Sequence, residues 1–136
     1  MANFEEAYEL TLANEGGYFN HPNDRGNWTG KQIGKGVLAG TIKGITAWEV
    51  ELWYKRPITA EDVKNFPESA IKEIYKRKYW NLIWGDRINN QKIANSLYDA
   101  AVNFGVTQAI KQAQRAAKFN NVNGKMSVEF LNTLNN

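Results

Sequence analysis

Two carboxylates near the front of the chain have the types and spacing for acid chemistry. Glu15 closes an apolar helical pattern and Asp24 follows nine positions later. Cleaving a glycosidic bond requires a proton on the leaving oxygen. It also requires a negative group, or an activated water, at the oxocarbenium-like centre. The acid must keep its proton near neutral pH, so its pKa has to be raised. Three features would raise that of Glu15. It shares a helical face with Phe4, Tyr8 and Leu12, so burial disfavours its charged form. It stands at a helix C-terminus, where the dipole is negative. Tyr18 adds an apolar wall. Asp24 lies among Asn23, Arg25 and Gly26, polar surroundings that suit the charged member of such a pair. The plainer reading of both residues stays open at this point. A glutamate in a helix's last turn is commonly solvated surface, and Asn-Asp-Arg-Gly is a common turn composition.

The elements that must position these groups follow from periodicity. Phe4, Tyr8, Leu12 and Glu15 recur at helical spacing with Ala7 and Thr11 beside them, and Gly16-Gly17 supplies the stop. From Tyr18 to Gly44 the chain is rich in Gly, Asn, Asp and Lys and loses the helical period. This stretch predicts an irregular loop with a small hairpin. Thr46-Ala47-Trp48-Glu49 is a capping box, and the helix it opens ends before Arg56-Pro57. Thr59 to Asp62 repeats that logic. Pro67 opens a longer helix carrying Ile71, Ile74, Tyr75, Tyr79 and Leu82 on one side. Ile93, Leu97, Ala100, Ala101 and Phe104 mark the next helix, stopped by Gly105. Thr107 caps another with Ile110, Ala113 and Ala117 inside. Met126, Phe130, Leu131 and Leu134 mark a last short helix. The fold class expected is mainly α, with one irregular insert near the front.

Composition narrows the classes. At 136 residues the chain can bury a real core. It has no cysteine, so disulfides play no part. The N-terminal Met1 to Glu6 is acidic and lacks the apolar core of a signal peptide, and no apolar run reaches membrane-spanning length. The net charge of +3 is mild and selects neither cell wall nor nucleic acid. The single histidine, His21, cannot make a typical zinc site. Ser69, Ser96 and Ser127 have no nucleophile-elbow context. The basic run Lys72, Lys76, Arg77, Lys78 reads as a solvated face.

At Glu15-Gly16-Gly17-Tyr18 followed by Asp24 the chain resembles the small bacterial and phage N-acetylmuramidases of glycoside hydrolase family 108, lysozyme-like endolysins also described as secretion activators. The resemblance continues through Thr41-Ile42-Lys43-Gly44-Ile45. The stretch from Gly26 to Gly40 looks like an insertion. Ile74 to Trp80 is similar to the family's Tyr-Trp helix, and Leu97 to Gly105 to its Asp-x-x-Val-Asn-x-Gly helix. The resemblance implies a lysozyme-like helical fold. It also implies cleavage of the β-1,4 bond from N-acetylmuramic acid to N-acetylglucosamine in peptidoglycan, with Glu15 as general acid. Phage lysozymes of a related fold place an Asp nine residues after the catalytic Glu, then a Thr. Asp24 matches that spacing as base, nucleophile or electrostatic stabiliser, and Thr41 or Thr29 matches the Thr. Tyr18 and Trp28 are the expected sugar-binding residues. No cofactor is required.

The resemblance divides the chain into a catalytic part, 1–88, and a helical part, 89–136, similar to a peptidoglycan-binding module. The latter departs from its pattern at Asn123-Gly124, where an Asp-Gly turn is usual. The expected partner is the peptidoglycan glycan strand, acted on by a monomer with no nucleic-acid partner and no stable membrane association. Without a signal peptide, the expected route is synthesis in the cytoplasm and release to the wall by a holin or on lysis. The competing class is a non-catalytic wall-binding or secretion-helper protein of the same fold. A basic nucleic-acid-binding domain is the third reading, disfavoured by the acidic N-terminus. Trp48, Trp53, Trp80 and Trp84 are expected in the core with their N–H groups bonded. Asp99 and Asn103, spaced i, i+4, are expected to fix a helix to a neighbouring loop.

Overall fold

A computed structural model describes residues 1–12 and 16–136. Glu15 lies outside the described residues. The chain divides into two compact units, one made by Met1–Ala13 with Lys72–Asn136, the other by Asn14–Ile71. Compactness thus follows a different line from the functional boundary expected at residue 88, because the first helix packs with the last ones.

The first unit is helical. α1 (Phe4–Leu12) buries Ala7, Tyr8 and Leu12, the face its periodicity predicts. Its start is tied down: the Ala2 amide donates to the Ile88 carbonyl at 2.7 Å. Gln91 closes a pair with Asn3 at 2.7 and 3.0 Å. α5 (Gln91–Phe104) and α6 (Val106–Ala116) follow, with α7 (Val128–Asn135) near the end; α2 (Ala47–Tyr54), α3 (Ala60–Lys64) and α4 (Glu68–Tyr75) precede them in the chain. Phe4, Trp80 and Tyr98 form a triangle with ring centroids 5.6–5.8 Å apart. Ile83, Ile88, Leu97, Ile110 and Phe130 pack into the same core. Thr11 donates to Asp99 at 3.2 Å, so the partner is helix α1 and not the loop expected, while Asn103 bonds back to the Asp99 carbonyl within α5.

Several expectations are corrected here. The helix opened by Pro67 is α4 (Glu68–Tyr75), and a π-helical segment, Lys76–Trp80, follows it. The wider turn breaks the period, so Leu82 is 53% exposed instead of sharing the apolar face. Phe104 and Trp53 are likewise exposed. Trp80 is fully buried and donates to Asp86 at 2.8 Å, as a core tryptophan should. α6 is capped by Gly105 and already includes Thr107.

Gly85 makes this core possible. A methyl group built on it would lie 2.2 Å from the Trp80 indole. That ring is boxed in on every side and cannot yield. Overpacking of this kind costs about 1–3 kcal/mol, occasionally more. Gly85→Ala is expected near the upper end, read as a lower urea midpoint with an unchanged slope. A loss of under about 0.5 kcal/mol would mean the indole has room to move.

The second unit holds a two-stranded antiparallel sheet. β1 (Tyr18–Phe19) pairs with β2 (Thr41–Ile42) in the register Tyr18↔Ile42 and Phe19↔Thr41. Between the strands runs the Gly-rich insert. It makes a 3₁₀ turn at Arg25–Asn27 and a small hairpin closed by the bridge Trp28↔Leu38, as the sequence predicts. α2 (Ala47–Tyr54) and α3 (Ala60–Lys64) follow. Glu49 accepts the Thr46 amide at 2.9 Å and Asp62 accepts the Thr59 amide at 2.9 Å, the reciprocal half of each capping box. Ile45, Val50, Ile58, Val63 and Phe66 fill the core of this unit.

Candidate active site

Asp24 is the N-cap of the 3₁₀ turn. Its Oδ1 accepts the Gly26 amide at 2.9 Å, and its own amide donates to the His21 carbonyl at 3.2 Å. The residue is exposed. The cap explains why Asp stands here: a short acceptor side chain satisfies an amide that the turn leaves open. Gly26 is buried beneath it. A methyl group on Gly26 would lie 3.3 Å from Asp24 Oδ1, 3.6 Å from Thr41 Cγ2 and 3.7 Å from Thr46 Cγ2. Asp24 and Thr41, 17 positions apart in sequence, therefore flank one glycine. Thr29, the other candidate, is buried in the hairpin, where its hydroxyl accepts the Val37 amide at 2.8 Å.

The insert is pinned so that this arrangement holds. Asn27, 1% exposed, accepts the Ala39 and Gly40 amides on its carbonyl and donates from Nδ2 to the His21 carbonyl at 2.9 Å. Its Oδ1 is buried with no protein partner among the described residues, as is Thr46 Oγ1. Such atoms favour an ordered water or a ligand group. Thr46 and Asn27 were not singled out as site residues from sequence. The capping box had accounted for Thr46, and nothing in a polar loop distinguishes a buried asparagine.

Tyr18 is half-buried, and its hydroxyl donates to the Ala39 carbonyl at 2.8 Å. Burial pushes its pKa up, against a smaller opposing effect from its bond with Asn20. Its ring lies against Gly40: a methyl there would come within 2.6 Å of it, and the φ of +97° already demands glycine. Tyr18 thus closes the exit of the insert. Trp28 is half-buried and donates to the Pro22 carbonyl at 2.9 Å. His21 stacks on Phe19, ring centroids 6.1 Å apart. On the approach to β1, Gly17 accepts the Lys43 amide at 3.2 Å. The segment just after Glu15 is thereby tied to the end of the strand that carries Thr41.

The chain is mainly helical and lysozyme-like, with a small sheet and a carboxylate on the loop between its strands, and its family match makes it a glycoside hydrolase. The chain belongs to the glycosyl hydrolase 108 family, whose family model matches residues 8–105. Among solved structures it is similar to SagA of Brucella abortus, at 26% identity and a TM-score of 0.66. That match covers 96% of this chain and 67% of the SagA chain. No curated protein matches it.

Proposed function

We propose that this chain is a peptidoglycan hydrolase, an N-acetylmuramidase that cleaves the β-1,4 bond between N-acetylmuramic acid and N-acetylglucosamine. Glu15 is the general acid. Asp24 supplies the opposing carboxylate, and Thr41 orients a water. Tyr18 and Trp28 line the path of the sugar. The observation that supports this reading best is the family match over a stretch containing Glu15, Asp24 and Thr41, together with the meeting of Asp24 and Thr41 around Gly26. The glycan is the substrate, reached after synthesis in the cytoplasm and release to the wall.

The chemistry needs only two carboxyl groups in different environments. One is kept protonated and gives its proton to the leaving oxygen. The other stays charged and meets the positive centre or activates water. Purified peptidoglycan incubated with the chain should release muropeptides ending in reducing muramic acid, identified by mass spectrometry. Reducing glucosamine ends would reassign the bond. Binding to the wall with no released product would favour the wall-binding helper instead.

Asp24 can be separated into its two roles. Asn keeps a side-chain oxygen for the Gly26 amide but carries no charge. Asp24→Asn is expected to hold the urea midpoint and to lower cleavage about 10²-fold or more. Asp24→Ala also loses the cap, at a cost of about 1 kcal/mol. Full activity in a folded Asp24→Asn protein would leave Asp24 with the cap alone.

A further inference from the structure

The second unit also carries a groove of about 610 Å³, to which none of Asp24, Gly26 and Thr41 contributes. Lys31, Trp48, Glu51, Leu52, Lys55 and Arg56 are among its lining residues. Its apolar side is the half-buried Trp48 ring and Leu52, which is 75% exposed. Its cations differ in kind. Arg56 is committed: both terminal nitrogens bond Asp62 at 3.0 and 3.2 Å, and the guanidinium stacks 4.6 Å over Tyr54. Lys31 and Lys55 are exposed and engage no carboxylate among the described residues. Both sit in left-handed backbone, at φ 69° and 56°, a conformation that costs a non-glycine residue energy. Local structure accounts for both: Lys55 is the C-cap of α2, its amide donating to the Glu51 carbonyl at 2.8 Å, and the Lys31 amide closes a turn on the Trp28 carbonyl at 3.2 Å.

Arg25 braces the groove. It stacks on Trp48 at 5.5 Å from the ring centroid and donates to the Lys31 carbonyl at 3.3 Å. The aromatic wall and the loop bearing one of the free ammonium groups are therefore held together. The result is an apolar strip with two uncommitted cations and one carboxylate, Glu51. A ligand that complements all three carries carboxylates, an amine and aliphatic surface. A uniformly anionic polymer would meet repulsion at Glu51 and leave the apolar strip unused.

We infer that this groove binds the peptide stems of peptidoglycan. Stem carboxylates pair with Lys31 and Lys55, the amine of the diamino acid pairs with Glu51, and the aliphatic stem lies along Trp48 and Leu52. The inference rests on the function proposed above and adds a second point of contact with the same polymer. It would raise affinity for glycan that still carries its stems.

The test uses the full chain as the Glu15→Gln variant, so that binding is read without cleavage. The free stem tetrapeptide (alanyl-isoglutamyl-diaminopimelyl-alanine) is titrated while the Trp48 indole N–H is followed by NMR. Saturable shifts are expected. The double variant Lys31→Gln with Lys55→Gln should weaken them about tenfold, as when two exposed ion contacts are lost together. In the active chain the same double variant should raise KM on stem-bearing peptidoglycan, hold kcat, and leave stem-free glycan unaffected. No saturable shift, or one indifferent to the two lysines, overturns the inference. So does tighter binding of a glycerol-phosphate polymer through those lysines. A chain that cleaves no glycan yet binds the tetrapeptide in this way sinks the muramidase reading and leaves the groove standing.

Discussion

Glu15→Gln should lower the rate of glycan cleavage by about 10²–10⁴-fold, the usual worth of a positioned general acid, with wall binding unchanged. Gln keeps the size and hydrogen-bonding shape of the side chain but has no proton of the right acidity to give. The substitution therefore tests proton delivery and little else. A methyl on Gly16 would lie 2.6 Å from the Phe19 ring, and Gly17 is bonded to the Lys43 amide. A methyl on Gly17 would meet nothing within 4 Å, and at Gly16 the exposed Phe19 ring would have to give way, so the Glu15 side chain is the more direct probe of the chemistry. The measurement is turbidity loss of purified peptidoglycan by both proteins at equal concentration, with circular dichroism to show that both are folded. Equal activity would remove Glu15 from the chemistry and send the search for the acid elsewhere. No cleavage by either protein, with both still bound to the wall, would favour a helper that keeps the fold and has lost the reaction.

Periodicity and end signals made the helices legible. Ala7, Tyr8 and Leu12 are buried because an apolar stripe at 3.6-residue spacing has to find cover. Thr46 with Glu49 and Thr59 with Asp62 mark helix starts because the amides there need acceptors. The π-helical segment at Lys76–Trp80 was not legible. Its residues are ordinary helix formers, and the Trp80 that ends it packs against Phe4 and Tyr98, long-range partners that local sequence does not reveal. The exposed Phe104 and Trp53 were misread because an apolar residue at a helical position is not obliged to be buried. At the site, residue types pointed to Asp24 and Thr41, but only the strand register and the buried Gly26 bring them together. The stacking of Arg25 on Trp48 is long-range, and a single sequence carries no signal for it.

The largest stability effect is expected at Gln114, a polar side chain with no exposed surface. It makes four hydrogen bonds to the turn after α6. Nε2 donates to Asn123 Oδ1 at 3.0 Å and to the Lys125 carbonyl at 3.2 Å, while Oε1 accepts the Asn123 and Gly124 amides at 3.0 and 2.9 Å. Gln114→Leu keeps the volume and removes every one of them. An amide left buried without a partner costs about 1–3 kcal/mol; with the Gly124 amide buried and the Asn123 amide part-buried, losing both acceptor contacts should cost about 2–4 kcal/mol. That is a large part of the stability of an ordinary domain, about 5–15 kcal/mol. Gln114→Glu should fail to rescue: it can accept both amides but brings a buried charge against the Asn123 and Lys125 oxygens. Urea unfolding of the three proteins measures this, and a loss below about 1 kcal/mol in Gln114→Leu would mean that water replaces the side chain. The turn has no slack to absorb the change. Gly124 has φ +75°, and a methyl there would lie 2.7 Å from Thr107 Cγ2, so the chain cannot move in toward α6 to find other acceptors. The Asn123-Gly124 turn is thus fixed by the folding of its own unit, and any part it plays at the wall is added to that structural role.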